Sequence, residues 1–350
     1  MKNSELDREV LSSADAGRGN NVNNNSINED NGNVGKDKAI NFSHEPVLLD
    51  EVIEGLAIKP GGVYLDGTAG GGGHSSAIAE RLDGGRLISL DRDPEAVRTA
   101  GARLARFGGR AKVIRANFSE IEDVCRAEGV AALDGVLLDL GVSSYQLDTP
   151  ERGFSYISDA PLDMRMDRDA ALSAAEVVNK YPEERLERII YEYGEERFAS
   201  RIARGICEAR AAGTIVTTGE LVSIIKSAMP AAAVRNSEHH PAMRTFQAIR
   251  IEVNGELDVI DPTIRRAVSL LAPGGRIAII TFHSLEDRRV KGTYAELARG
   301  CTCPPGFPVC VCGNKPQIKL VSRKPIVATR EELARNRRSH SAKLRVAEKL

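Results

Sequence analysis

The feature that most restricts the fold is a run of glycines directly after a short apolar strand. Residues 63–65 predict the strand, which ends at Asp66, and residues 67–73 then contain five glycines. Glycine lets a backbone turn tightly and approach a ligand closely, because no Cβ stands in the way. A helix that begins after such a loop presents its backbone N–H groups to the ligand. The pattern predicts a nucleotide-binding turn.

Strands and helices alternate around this loop. The predicted strands are 63–66, 86–91, 112–116, 134–140 and 276–282, and the predicted helices include 46–56, 77–82 and 94–107. Such alternation implies right-handed crossovers and a parallel sheet that is covered on both faces. We therefore expect an α/β fold with a Rossmann-like domain.

A second acid supports a nucleotide ligand. Asp91 ends the strand after the glycine loop, about 20 residues on, where a carboxylate can accept both ribose hydroxyls. A dinucleotide site prefers glycine or alanine at the third position of its glycine pattern, whereas this chain has Ser75 or Ser76 there. An acid such as Asp66 at the end of the first strand is frequent in S-adenosylmethionine sites. These residues favour S-adenosylmethionine and leave NAD as the competing cofactor.

A large insertion interrupts the alternation. The strand at 276–282 follows the strand ending near Asp139 after about 130 residues, whereas a single crossover unit needs about 30. Roughly 100 residues are therefore inserted, and their pattern is mostly helical. The segment 217–220 (Thr-Thr-Gly-Glu) predicts a capping box that opens a helix ending before Pro230.

The two ends of the chain differ in composition. Residues 1–40 are rich in Asn, Asp, Gly and Ser and predict a disordered tail. Residues 320–350 carry nine Lys or Arg against three carboxylates, which suits either a polyanion partner or a solvated terminal helix. No apolar run approaches the roughly 20 residues of a membrane helix. With no apolar signal segment at the start, we expect a cytoplasmic protein with no membrane contact.

Ten segments of the chain resemble the RsmH/MraW family of 16S rRNA cytosine-N4 methyltransferases. They are HEPVLLDEV (44–52), DGTAGGGGHS (66–75), LDRDPEA (90–96), LLDLGVSSYQLD (137–148), ERGFSY (151–156), PLDMRMD (161–167), YGEERFASRIAR (193–204), RTFQAIRIEVN (244–254), APGGR (272–276) and FHSLEDR (282–288). The resemblance implies a class I methyltransferase fold, S-adenosylmethionine as cofactor, and a substrate cytosine in the decoding region of 16S rRNA in the small ribosomal subunit. A DNA or small-molecule amino-methyltransferase is the alternative function.

The predicted organisation follows from the insertion and the resemblance together. We expect a disordered tail at 1–40, a methyltransferase domain made of 41–144 and 248–329, a helical RNA-recognition insert at 145–247, and a basic tail at 330–350. The sequence does not decide the oligomeric state and is compatible with a dimer.

The predicted cofactor site combines both lines of reasoning. The residue pattern itself nominates the loop glycines, Asp91 and Asp139. The resemblance adds Phe118 beside the adenine, Gln146 in the pocket, and a methionine and sulfonium region lined by Gly72, Gly73 and His74. The full predicted set is Gly70, Gly72, Gly73, His74, Asp91, Phe118, Asp139 and Gln146.

Catalysis and substrate binding are predicted from position. Asp139 ends a strand near the switch point of the sheet, where it can accept a hydrogen bond from a reacting amine. His283 follows the strand at 276–282 and is a second candidate proton acceptor or base contact, although a structural histidine fits equally well. For RNA phosphates and splayed bases, the insert offers Arg197, Arg201, Arg204, Arg235, His239, His240 and Arg244.

Four cysteines flank a Pro/Gly-rich loop near the C-terminus. They are Cys301, Cys303, Cys310 and Cys312, in two Cys-x-Cys pairs. Four thiols on one loop can form a tetrahedral structural zinc site, but Cys-x-Cys is less diagnostic than Cys-x-x-Cys. Because a reducing cytosol disfavours disulfides, the competing interpretation is reduced thiols without metal.

Overall fold

A computed structural model of the chain describes residues 45–303, 309 and 311–350. The predicted disordered tail at 1–40 and the predicted ligand Cys310 lie outside the described residues. Among the residues described, no helix combines the length and apolarity needed to cross a membrane.

One seven-stranded sheet organises the fold, in the order β3-β2-β1-β4-β5-β7-β6. The strands are β1 (Val63–Asp66), β2 (Arg86–Asp91), β3 (Ala111–Arg115), β4 (Leu133–Asp139), β5 (Leu271–Thr281), β6 (Ile318–Leu320) and β7 (Lys343–Lys349). Strands β1 to β5 pair in parallel, whereas β7 pairs antiparallel with both β5 and β6. The chain order reverses between β1 and β4, which is where such sheets bind ligands. The predicted Rossmann-like fold with a helical insert is confirmed.

Helices cover both faces of the sheet and form the insert. They are α1 (Leu49–Leu56), α2 (Gly73–Glu80), α3 (Pro94–Leu104), α4 (Ile121–Ala127), α5 (Ser144–Asp148), α6 (Ala174–Lys180), α7 (Glu183–Gly194), α8 (Ala199–Ala212), α9 (Thr218–Ala228), α10 (Ala231–Arg235), α11 (Met243–Asn254), α12 (Ile260–Leu270), α13 (Ser284–Leu297) and α14 (Arg330–Arg335). Helix α9 begins at the predicted capping box, where the backbone N–H of Glu220 donates to Thr217 Oγ1 at 3.2 Å.

Two apolar clusters fill the two faces of the sheet. Neighbouring residues Tyr64 and Leu65 belong to different clusters, because successive side chains of a strand point to opposite faces. The insert has a third cluster of its own, built largely from α6 to α9 and α11. Helix α11 contributes Phe246 and Ile249 to it, so the predicted boundary at 247/248 falls inside a helix that packs in the insert.

The basic segment at 330–350 is not a solvated tail or terminal helix. Its last residues form β7, which lies between β5 and β6 in the sheet. Leu344 and Val346 are buried, and the intervening Arg345 pairs with Asp287 through contacts of 2.7 and 3.1 Å. A strand with alternating apolar residues can carry charge on its other positions, which is why composition alone suggested a tail.

Candidate active site

The carboxyl ends of β1, β2 and β4 open onto a cavity of about 410 Å³. This volume lies in the range of roughly 300–1,000 Å³ that small-molecule sites occupy. Most of the predicted cofactor residues line it, namely Gly70, Gly73, His74, Asp91, Phe118, Asp139 and Gln146. Gly72 and His283 do not line it.

Gly72 does not line the cavity because it packs closely against α3. Gly72 precedes the first residue of α2 and has a φ of 75°, a left-handed conformation that favours glycine. A Cβ there would lie 3.2 Å from the Cα of Ala100 on α3. At Gly73, a Cβ would lie 2.4 Å from Pro46 Cγ. Both glycines therefore allow close packing around the loop, and Gly73 also borders the cavity.

Asp91 is held by two backbone N–H groups. Gly70 N donates to Asp91 Oδ2 at 2.8 Å, and Asp93 N donates to Asp91 Oδ1 at 2.9 Å. Burial raises the pKa of Asp91 to about 6, although these two hydrogen bonds favour the ionised form. A carboxylate has about four acceptor positions, so about two remain for a ligand in the cavity.

Asp139 lies at the floor of the cavity. Its backbone N–H donates to Thr68 Oγ1 at 2.6 Å, and its Oδ2 lies 3.6 Å from His74 Nδ1. Its Oδ1 is buried and has no hydrogen-bond partner among the described residues. Burial raises the pKa of Asp139 to about 6, with further contributions from the charges of Asp66 and Glu286, while His74 opposes the shift. Asp139 thus lines a ligand-sized space and carries an acceptor for which the described residues supply no donor.

Asp66 supports the loop from below. It is fully buried and accepts hydrogen bonds from Thr68 N at 3.1 Å and Ser75 Oγ at 2.6 Å. Asp66 does not line the cavity. The acid that helped to favour S-adenosylmethionine in the sequence therefore shapes the glycine loop and does not face the ligand space.

A buried cluster that the sequence did not reveal joins the insert to the cavity. Asp93 Oδ2 accepts hydrogen bonds from Gln146 Nε2 and from Arg152 Nη1, both at 2.8 Å. Arg152 is only 2% exposed and also donates to the backbone carbonyls of Arg165 and Met166 at 2.9 Å each. The sequence signal was the ERGFSY segment, to which no role could be assigned because the partner lies 59 residues away.

His283 contacts a network of charged side chains in which Arg250, Glu256 and Glu286 line the cavity, whereas His283 does not. It caps the start of α13, and its Nε2 lies 3.1 Å from Glu286 Oε1. Burial alone would raise the pKa of Glu286, but the proximity of His283 and the charge of Arg250 outweigh it and hold this pKa below its usual value. Arg250 in turn donates two hydrogen bonds of 2.9 Å to Glu256. The network places Glu286, and not His283, at the cavity.

The insert carries a second cavity, of about 700 Å³, near α10 and the start of α11. Four of the predicted RNA-binding residues line it, namely Arg197, His239, His240 and Arg244, whereas Arg201, Arg204 and Arg235 do not. The ring of His240 stacks on Tyr156 with centroids 4.7 Å apart. Arg197, which precedes α8, therefore lines this cavity, whereas Arg201 and Arg204 on α8 do not.

A separate link connects the insert to α13 at the surface. Glu195 follows α7 and accepts hydrogen bonds from Ser284 Oγ at 2.6 Å and from Arg288 Nη2 at 3.0 Å. Both side chains of the Arg288–Glu195 pair are largely exposed, at 66% and 44%. The buried contact of Arg152 and this exposed contact therefore connect the same two parts of the molecule in different environments.

Three of the predicted metal-binding cysteines lie together. The sulfur atoms of Cys301, Cys303 and Cys312 are all within 4.8 Å of one another. Backbone N–H groups of Val311 and Cys312 lower the pKa of the Cys303 thiol. The structure therefore brings these cysteines into one cluster, away from the residues that line the cavity.

Comparison with known proteins gives a consistent result over most of the chain. Residues 41–350 match the model of the MraW methylase family. The ribosomal RNA small subunit methyltransferase H of Brevibacillus brevis is 54% identical over 312 residues, which cover 89% of this chain and 99% of that protein. The protein of the same name from Heliobacterium modesticaldum is 55% identical over 311 residues, with 88% and 99% covered. That from Symbiobacterium thermophilum is 56% identical over 310 residues, with 88% and 97% covered.

Proposed function

This chain belongs to the MraW methylase family, and we propose that it transfers a methyl group from S-adenosylmethionine to the exocyclic N4 amine of a cytosine in the decoding region of 16S rRNA. The relatives named above are small-subunit ribosomal RNA methyltransferases. The observation that carries the proposal is Asp139, which lines a ligand-sized cavity and whose Oδ1 has no hydrogen-bond partner among the described residues. We expect the reaction to take place in the cytoplasm, on the small ribosomal subunit.

The cavity suits S-adenosylmethionine. We propose that Gly70, Gly73 and His74 border the methionine and sulfonium end and that Asp91 accepts hydrogen bonds from the ribose hydroxyls. Phe118 and Gln146 complete the wall, with Phe118 beside the adenine. Gly72, which packs on α3, supports the loop without touching the ligand. The bound cofactor supplies an activated methyl group, so the protein must orient the acceptor and exclude water.

Asp139 is proposed to act on the incoming amine. The lone pair of this amine is conjugated with the cytosine ring, so the nitrogen is a weak nucleophile. An N–H of the amine that donates to Asp139 Oδ1 favours a more pyramidal and more reactive nitrogen, and the same oxygen can accept the proton that is lost. A pKa of about 6 places Asp139 close to neutral pH, as general base catalysis requires. His283 does not line the cavity and would act only through Glu286.

The substrate base must leave its stack to reach Asp139, because a paired cytosine cannot present its amine to a closed cavity. Two basic surfaces are available for the RNA phosphates on either side of the substrate cytosine. One is the insert cavity with Arg197 and Arg244, and the other is exposed Arg337, which lines the mouth of the main cavity. We propose that the insert and the segment around Arg337 hold the RNA, while the carboxyl ends of β1, β2 and β4 hold the cofactor.

Methyl transfer from labelled S-adenosylmethionine tests the substrate. Small ribosomal subunits, naked 16S rRNA, duplex DNA and free cytidine are incubated separately with the enzyme, and the labelled nucleoside is identified by mass analysis. N4-methylcytidine that arises only in ribosomal RNA or the subunit supports the proposal. Label in DNA or in free cytidine would instead favour the alternative, an amino-methyltransferase for DNA or a small molecule. Tight binding of NAD without heat of binding for S-adenosylmethionine in calorimetry would contradict both.

A further inference from the structure

The connection between α13 and β6 is long. It joins Leu297 to Ile318, which is more than the roughly 12–15 residues that a loop usually spans. The described valines in it, Val309 and Val311, are 70% and 74% exposed. These two valines therefore do not anchor the connection in an apolar core.

The three cysteine sulfurs have the spacing of metal ligands. The Sγ atoms of Cys301 and Cys312 are 3.7 Å apart, and all three sulfurs lie within 4.8 Å of one another. In a tetrahedral site with Zn–S bonds of about 2.3 Å, ligand sulfurs are about 3.8 Å apart. Four sulfur atoms around one point would reproduce this spacing, and the sequence provides a fourth cysteine at Cys310.

Backbone N–H groups are directed at the same sulfurs. Cys312 Sγ accepts from Thr302 N at 3.3 Å and from Asn314 N at 3.5 Å. Cys301 Sγ accepts from Cys303 N, and Cys303 Sγ accepts from Val311 N, both at 3.4 Å. Such donors stabilise thiolates and fix their direction, as hydrogen bonds to metal ligands do in other metal sites.

We propose that Cys301, Cys303 and Cys312 are thiolate ligands of a structural zinc ion. Thiolates in a tetrahedral set select zinc among the abundant divalent cations. Helix α13 starts beside the cavity and has 14 residues, so its far end, where the cysteines follow, lies about 20 Å away. The ion therefore has no part in methyl transfer.

The ion would stabilise the position of the chain where it enters β6, the edge strand of the sheet. Gln317 N donates to Leu297 O at 2.8 Å, and Leu350 N donates to Gln317 O at 3.0 Å. These bonds join the end of α13, the loop and the end of β7. A metal that closes the loop would hold this junction in place, because binding energy at a structural site adds to folding stability.

Metal content of the full-length protein, purified under reducing conditions, tests the proposal. We expect about one zinc per chain in the wild type and in C207S, whose cysteine lies on α8 outside the cluster. We expect at least a tenfold lower zinc content in C303S. Equal zinc content in C303S and C207S, or iron in place of zinc, would overturn the assignment.

A measurement on the wild type keeps the test valid if C303S folds poorly. Zinc is removed by a chelator and Co²⁺ is added, and the near-ultraviolet thiolate-to-cobalt absorption is expected to saturate at one equivalent. Trypsin cleavage after exposed Arg299, which precedes Gly300 and the first cysteine, should become at least tenfold faster in the chelated protein and return to the original rate with zinc. A chain with no cobalt absorption, or cleavage that is indifferent to zinc, would rule the site out.

Discussion

The sheet cavity and the insert cavity differ in the environment of the charged side chains that we propose as ligand contacts. The sheet cavity is bordered by Asp91 and Asp139, whose burial raises the pKa of each to about 6. The insert cavity is bordered by exposed Arg197 and Arg244. An acid held by backbone N–H groups, as Asp91 is, suits one small ligand in one orientation, whereas exposed cations suit a polyanion through salt-sensitive contacts. The difference suggests separate tasks for the two parts.

The largest effect is expected at the floor of the sheet cavity. D139N keeps the size of the side chain but removes the negative charge and the basic oxygen, so kcat should fall about 10²–10⁴-fold, the usual contribution of a general base. Binding of S-adenosylmethionine should change little, because Asp91 and the glycine loop remain. Single-turnover methylation and calorimetry on the same preparation separate the two quantities. D258N, at an exposed position, is the control. An equal loss of kcat in the two variants would mean that Asp139 is not a catalytic residue.

The next largest effect is expected at the contacts between the insert and the sheet domain. R152A leaves the carboxylate of Asp93 buried without its cationic partner, which is expected to lower the free energy of unfolding by about 3–5 kcal/mol. R288A breaks the exposed contact with Glu195 and should cost at most about 1 kcal/mol. Denaturant titration of both variants gives the comparison. Similar values for the two would mean that the buried cluster does not anchor the insert.

A pH series tests the acids of the sheet cavity. Asp91, the proposed ribose contact, has a pKa of about 6, so affinity for S-adenosylmethionine should weaken below pH 6, by up to about tenfold per pH unit. Because the folded pKa values of Asp91 and Asp139 both exceed the usual 3.8, the folded state binds more protons between pH 3.8 and 6. The contribution of these groups to stability therefore falls as pH rises through that window. Calorimetry from pH 5 to 8 should show a flatter profile for D91N.

The smallest effects are expected at the basic surfaces. R244A and R337A should each weaken binding of ribosomal RNA a few-fold and reduce the slope of log affinity against log salt by about 1. Their kcat at saturating RNA should stay close to that of the wild type. Filter binding at several salt concentrations measures this, with exposed R188A on α7 as the control. If the salt slope is unchanged in R244A but lowered in R188A, the RNA does not bind at the insert cavity.

The sequence by itself determined the parts of the site that are local in the chain. The sequence nominated the glycine loop, Asp91 and Asp139 for one pocket, and these residues line one cavity because the carboxyl ends of parallel strands meet at the switch point of the sheet. The start of α9 was equally local, since a capping box needs only four consecutive residues.

Only the tertiary structure decided the features that depend on distant partners. Arg152 reaches Asp93 across 59 residues, and no periodicity in either segment indicates that contact. The end of the basic C-terminal segment forms β7 between β5 and β6. Its residues Leu344 and Val346 are buried there, and Arg345 pairs with Asp287. Composition records how many charges a segment has, whereas burial and pairing depend on which other segment packs against it.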